Sequence, residues 1–109
     1  TDAAAQASYG PHVLGYSRVY FTRGNAYHKD YDPWLKDVAS AADLKLEHVL
    51  PDRVLCGSAA TWTAQIEEWQ KALQPEEILL RLRHFQGPDL EPTLDTIRAI
   101  GSEIIPRFK

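Results

Sequence analysis

Two short aliphatic runs, Arg53-Val54-Leu55-Cys56 and Ile78-Leu79-Leu80-Arg81-Leu82-Arg83, bracket a segment of helical periodicity and leave few architectures open. The first run ends at Gly57, and Ser58 is a good N-cap for the helix that follows. In that helix Trp62, Ile66, Trp69 and Leu73 fall at offsets of four, three and four, and Pro75 closes it. Two strands joined through a helix run parallel if they share a sheet, with a right-handed crossover. The expectation is therefore an α/β fold with two parallel strands. In the second strand, Ile78, Leu80 and Leu82 point to one face and Leu79, Arg81 and Arg83 to the other. The aliphatic face should pack under helices. Two strands make a poor sheet, so their partners are expected from another copy or from a larger protein. Open strand edges recruit other chains, which predicts a homo-oligomer.

The remainder reads as helix and loop. Tyr9, Val13, Tyr16 and Tyr20 mark one helical face, although Gly10-Pro11 should break or restart that helix. Arg23 to Tyr31, with Gly24-Asn25, reads as a loop. Asp32-Pro33 looks like an N-cap with proline at the first helical position, and Trp34, Leu35 and Val38 supply a short buried face. A further short helix covers Leu44 to Leu50 and stops at Pro51. After a loop at Gln86-Gly87-Pro88-Asp89, a last helix runs from about Glu91 to Ile104, with Leu94, Ile97, Gly101 and Ile104 on its buried side and Phe108 beyond. Residues 1–50 thus form a helical lead-in and 51–109 two β/α units of one domain, 1–109.

At 109 residues the chain is too short to close a (β/α)8 barrel, which takes about 250. A net charge of -3 argues against a nucleic-acid footprint. No run approaches the ~20 apolar residues of a membrane-spanning helix. The lone Cys56 can form no internal disulfide, and the first residues lack the features of a signal peptide, so a cytoplasmic location is expected.

The chemistry has few places to reside. Gly57-Ser58 sits where a strand meets a helix. Glycine admits close approach of a ligand, the helix start offers free N–H groups and partial positive charge, and Ser58 or Thr61 adds a hydroxyl; together these suit a phosphate. A plain turn and cap explains the same dipeptide, and both readings stand. Arg83, at the carboxyl end of its strand, suits a phosphate or carboxylate, and Arg81 shares its face; a solvated strand face is the alternative. His84 lies beside Arg83 and titrates near neutrality, but no partner carboxylate is evident, so a loop histidine without a role fits as well. Cys56 reads as a buried, inert thiol, and Trp62 and Trp69 as helix core. The four histidines show no metal-ligand spacing, so no metal site is assigned. No residue is assigned a catalytic role.

The run Pro51-Asp52-Arg53-Val54-Leu55-Cys56-Gly57-Ser58-Ala59-Ala60-Thr61, then Ile78 to His84, then the tail Ile97-Arg98-Ala99-Ile100-Gly101-Ser102-Glu103-Ile104-Ile105-Pro106, resembles the C-terminal end of the luciferase-like flavin monooxygenases, a superfamily of TIM-barrel oxidoreductases. Thr1-Asp2-Ala3-Ala4-Ala5 resembles the segment after barrel strand six. The likeness spans nearly the whole chain and about the last third of a family member. It departs at Ala59, where the family often has proline, at Trp62, where a small aliphatic is usual, and near Gln74-Pro75, where the family turn contains glycine. The resemblance implies a partial TIM barrel, its last two β/α units preceded by helices. It implies FMN or a deazaflavin as cofactor, with Gly57, Ser58, Thr61 and Arg83 near the cofactor phosphate, because such barrels often bind phosphate after strands seven and eight. In the family the reduced cofactor reacts with oxygen and oxidises an organic substrate. Most of the ring and substrate pocket belongs to earlier strands, so a C-terminal piece of this kind is expected not to turn over substrate by itself. The alternative is a non-catalytic α/β module that self-associates through its strands.

Overall fold

A computed structural model describes residues 1–24 and 27–109. Asn25, within the expected Gly24-Asn25 loop, lies outside the described residues. The chain is built of helices: α1 (Asp2–Arg23), α2 (Leu46–Val49), α3 (Ala59–Leu73) and α4 (Leu90–Ala99). Short 3-10 turns at Pro33–Asp37 and Ala41–Asp43 precede α2, and α4 runs on through a π turn, Ile100–Ile104, into a 3-10 turn, Ile105–Phe108.

The expected α/β architecture, a partial TIM barrel with two parallel strands, is not formed. Among the described residues there is no sheet, and the sole bridge of β type joins His84 to Gly87 in antiparallel sense. Residues 54–58 and 77–83 carry no regular secondary structure. The side-chain alternation nevertheless holds. Ile78, Leu80 and Leu82 pack against the cluster of Ile66, Ile100 and Ile104, whereas Leu79 is 93% exposed and Arg81 and Arg83 are exposed. Periodicity determines which face is buried; it does not supply a hydrogen-bonding neighbour. A two-stranded sheet is marginal, and parallel pairing is the weaker kind, so packing on helices is satisfied without it.

Helix α1 runs unbroken through Gly10-Pro11, contrary to the expected break. Pro11 removes one intrahelical donor, and packing on one side of α1 with long-range hydrogen bonds on the other holds the helix together. Buried Gly10 lies so close to Leu46 that an added Cβ would sit 2.8 Å from Leu46 Cδ2. The Thr1 hydroxyl accepts from the Ala4 N–H at one end, and Gly24, at φ 71°, closes the other. One side of α1, through Val13, Leu14 and Phe21, packs on a first core of Val38, Leu44 and Val49. Another side, through Asp2, Tyr9, His12 and Tyr16, hydrogen-bonds to residues of 58–96. Helix α1 thus packs on the first core and is hydrogen-bonded to the second half of the chain.

Other expectations shift in detail. Pro33 does open a helical turn, but Asp32 does not cap it; its carboxylate turns inward to Arg53. Ser58 caps α3 as expected, and Ile66 is buried with Trp62 and Trp69 half-buried, while Leu73 is 73% exposed. In α4 and its continuation the buried positions are Thr93, Ile100 and Ile104, with Leu94 half-buried and Ile97 and Gly101 exposed. Ile97 precedes the π turn, and Ile104, which ends it, is buried as expected. No helix among the described residues is long and apolar enough to cross a membrane.

Candidate functional site

The first turn of α3 is where local sequence and long-range structure meet. Its leading N–H groups have no intrahelical acceptor, and the helix dipole adds partial positive charge. Ser58 Oγ accepts from the Thr61 N–H at 3.4 Å, the ordinary capping contact. An anion then completes the turn: the Asp2 carboxylate, from the start of α1. The Ser58 N–H donates to Asp2 Oδ1 at 2.6 Å, and the Thr61 hydroxyl lies 2.7 Å from Oδ1 and 2.9 Å from Oδ2. The Ser58 and Thr61 hydroxyls are themselves 3.1 Å apart. The Ser58 N–H, followed by the two hydroxyls, holds the Asp2 carboxyl below the usual carboxylate range.

Gly57 makes this seat sterically open. A Cβ there would stand 2.8 Å from Asp2 Oδ1 and 3.0 Å from Thr61 Cγ2. Any side chain at this position would crowd the oxyanion.

Gly57 also lines a cavity of about 240 Å³ between α1 and the second half of the chain. Its walls are mostly apolar, with Trp62 and Leu82 among them, and Tyr9, His12, His84 and Glu103 bring polar groups to it. The His12 ring nitrogen Nδ1 is 2.9 Å from the Gln86 carbonyl. The Tyr9 hydroxyl donates to the Pro92 carbonyl at 3.3 Å and accepts from Thr96 at 3.4 Å. His84 lies against Tyr16 with ring centroids 3.9 Å apart and the rings tilted by 33°, and its Nδ1 is buried without a hydrogen-bond partner among the described residues. Burial, and secondarily the charge of Arg81, push the His84 pKa down, so the imidazole is neutral at pH 7.

Gly57, Ser58 and Thr61 meet at the α3 turn, and among the described residues no hydrogen bond joins Arg83 to them. The Arg83 Nε donates to the Pro88 carbonyl at 2.9 Å, and its side chain is not among the cavity walls. Arg81, from the same face, is the arginine that lines the cavity. Cys56 is buried at 8% exposure, and burial followed by the Asp2 charge raises its thiol pKa, in keeping with an inert thiol. Sequence reasoning missed Asp2, Tyr9, His12 and Glu103. An acid in the first turn of α1 reads locally as a complement to the α1 dipole, and nothing in the sequence points it at a turn 56 residues away.

Comparison with protein-family models, curated proteins and solved structures finds no match.

Proposed function

We propose that this chain supplies the cofactor-phosphate part of a cytoplasmic, luciferase-like flavin-dependent monooxygenase and does not turn over substrate by itself. One observation supports it above the others: the α3 turn at Gly57-Ser58-Thr61 already accepts an oxyanion, the Asp2 carboxylate, through one backbone N–H and one hydroxyl. A phosphate monoester presents oxygens of the same charge and reach. Ser58 and Thr61 would hold the phosphate of FMN or a deazaflavin once Asp2 swings away, and Gly57 keeps the approach clear. The bound flavin supplies the oxygen chemistry; the protein supplies orientation and a water-poor wall. The adjoining cavity, at about 240 Å³, falls below the roughly 300–1,000 Å³ of full ligand pockets, which fits a partial site. Arg83 drops out of the proposed set because Pro88 engages it.

The test is a fluorescence titration with FMN and riboflavin, which differ by the phosphate. The parent should quench FMN in the micromolar range and bind riboflavin more weakly. Ser58→Ala should weaken FMN and leave riboflavin unchanged, and Gly57→Ala should do the same more severely. Asp2→Asn should strengthen FMN by removing the resident competitor. Equal loss for both flavins, or loss for neither, would reject the assignment.

A second reading, a non-catalytic module that self-associates, is favoured by a separate observation. Among the described residues, the backbone groups of 55–57 and 78–83 make no hydrogen bond. Backbone donors and acceptors require partners once water is excluded, and a second copy would provide them. Light scattering separates the readings: a stable dimer that ignores FMN supports self-association.

A further inference from the structure

We propose that the larger cavity of this chain is a binding site for a planar aromatic carboxylate. It encloses about 470 Å³, within the roughly 300–1,000 Å³ typical of small-molecule sites. It shares Val54, Leu55, Trp62, Arg81 and Leu82 with the smaller cavity but does not include Gly57, Ser58 or Thr61, so it goes beyond the flavin-phosphate assignment and does not depend on it.

Its walls combine two features. The first is aromatic surface from two elements, α1 and α3. Tyr16 and Tyr20 of α1 line it with centroids 4.6 Å apart, and the half-buried Trp62 and Trp69 of α3 line it too, alongside Leu80 and Leu82. Rings offered from two elements suit a flat aromatic guest, since offset and edge contacts add to the gain from burial.

The second feature is charge. The chain as a whole is acidic, at -3, yet among the described residues the lining of this cavity contains Arg53 and Arg81 and no carboxylate. Arg53 is committed: it forms a bidentate pair with Asp32 and stacks over the Tyr27 ring at 5.2 Å. Arg81 is not. Its Nη1 donates to the Tyr16 hydroxyl at 3.3 Å, and no ion pair forms on it among the described residues. A guanidinium carries five N–H donors in a planar fork that matches a carboxylate, so most of its capacity is unspent. Hydrogen bonding with Tyr20, then burial, raises the Tyr16 pKa, so the phenol stays neutral beside an incoming anion. His84, also neutral, adds no competing charge.

The experiment follows tryptophan fluorescence of the full chain during titration with 2-naphthoate and with 2-naphthylmethanol, its uncharged counterpart. The parent should bind naphthoate at least ten-fold more tightly. Arg81→Gln, a change at an exposed side chain, should bring the two ligands to equal affinity, and Tyr20→Leu should weaken both. Ser58→Ala should leave both unchanged, which keeps the outcome separate from that of the flavin titration. Equal affinity of the parent for the two ligands would overturn the proposal, as would a naphthoate preference that survives Arg81→Gln.

Discussion

Replacing Arg53 by methionine should destabilise the whole chain and not merely its surface. Asp32 is 1% exposed and Arg53 36%, and the two are joined by N···O contacts of 2.5 and 2.9 Å. The pair bridges the two halves, tying the turn before Pro33 to the segment that leads into Gly57. Removing one member of a fully buried pair costs about 3–5 kcal/mol, mostly because the remaining charge is stranded. Arg53 keeps part of its hydration, which discounts the loss to about 2–3 kcal/mol. At roughly 2.1 cal/mol/K per residue, the unfolding entropy of 109 residues is about 0.23 kcal/mol/K, so the melting temperature should fall by about 9–13 °C.

The pH dependence carries a sign. Burial by itself would raise the Asp32 pKa, but hydrogen bonds from Arg53 and the His28 N–H outweigh it and the net shift is downward. A carboxyl depressed in the folded state contributes stability above its unfolded pKa, about 3.9, and loses it as pH falls through the folded value. Urea denaturation of parent and Arg53→Met should therefore differ most near pH 7 and converge as the pH drops below about 4. Arg53→Lys, with the charge but not the fork, should fall between them. A variant within about 0.5 kcal/mol of the parent at pH 7, against the roughly 2–3 expected of this partly exposed pair, would refute the reasoning.

Two further outcomes are expected. Leu44, 1% exposed at the centre of the first core, should cost about 2–4 kcal/mol as Leu44→Ala, read from the urea midpoint at unchanged slope. Cys56 should alkylate with iodoacetamide more slowly than a free thiol at pH 8 and reach the free rate in urea, since burial raises its pKa and blocks access; a native rate equal to that of free cysteine would contradict this.

Much of the local structure was legible. Ser58 before Ala59-Ala60-Thr61 announces a capped helix start, and it is one. Pro33 opens a turn and Pro51 follows α2 at the expected place. The alternation across Ile78 to Arg83 gave the correct buried face without giving a strand. Strand identity depends on a hydrogen-bonded neighbour, which is a non-local property that a period of two cannot report. The Gly10-Pro11 break failed for a related reason. A proline penalty is a local cost, and α1 is held by packing on the first core and by long-range hydrogen bonds that the local pattern does not reveal.

Near-neighbour physics, written in the order of residues, determined where helices begin, which aliphatic side chains turn inward, and that Gly57-Ser58-Thr61 welcomes an anion. Tertiary structure alone decided which anion sits there, which arginine is left free, and whether the aliphatic runs pair. Asp2 reaches Thr61 and Arg53 reaches Asp32 across 59 and 21 positions of the chain. Such contacts depend on how helices stack, and a carboxylate or guanidinium carries no local mark of its eventual partner.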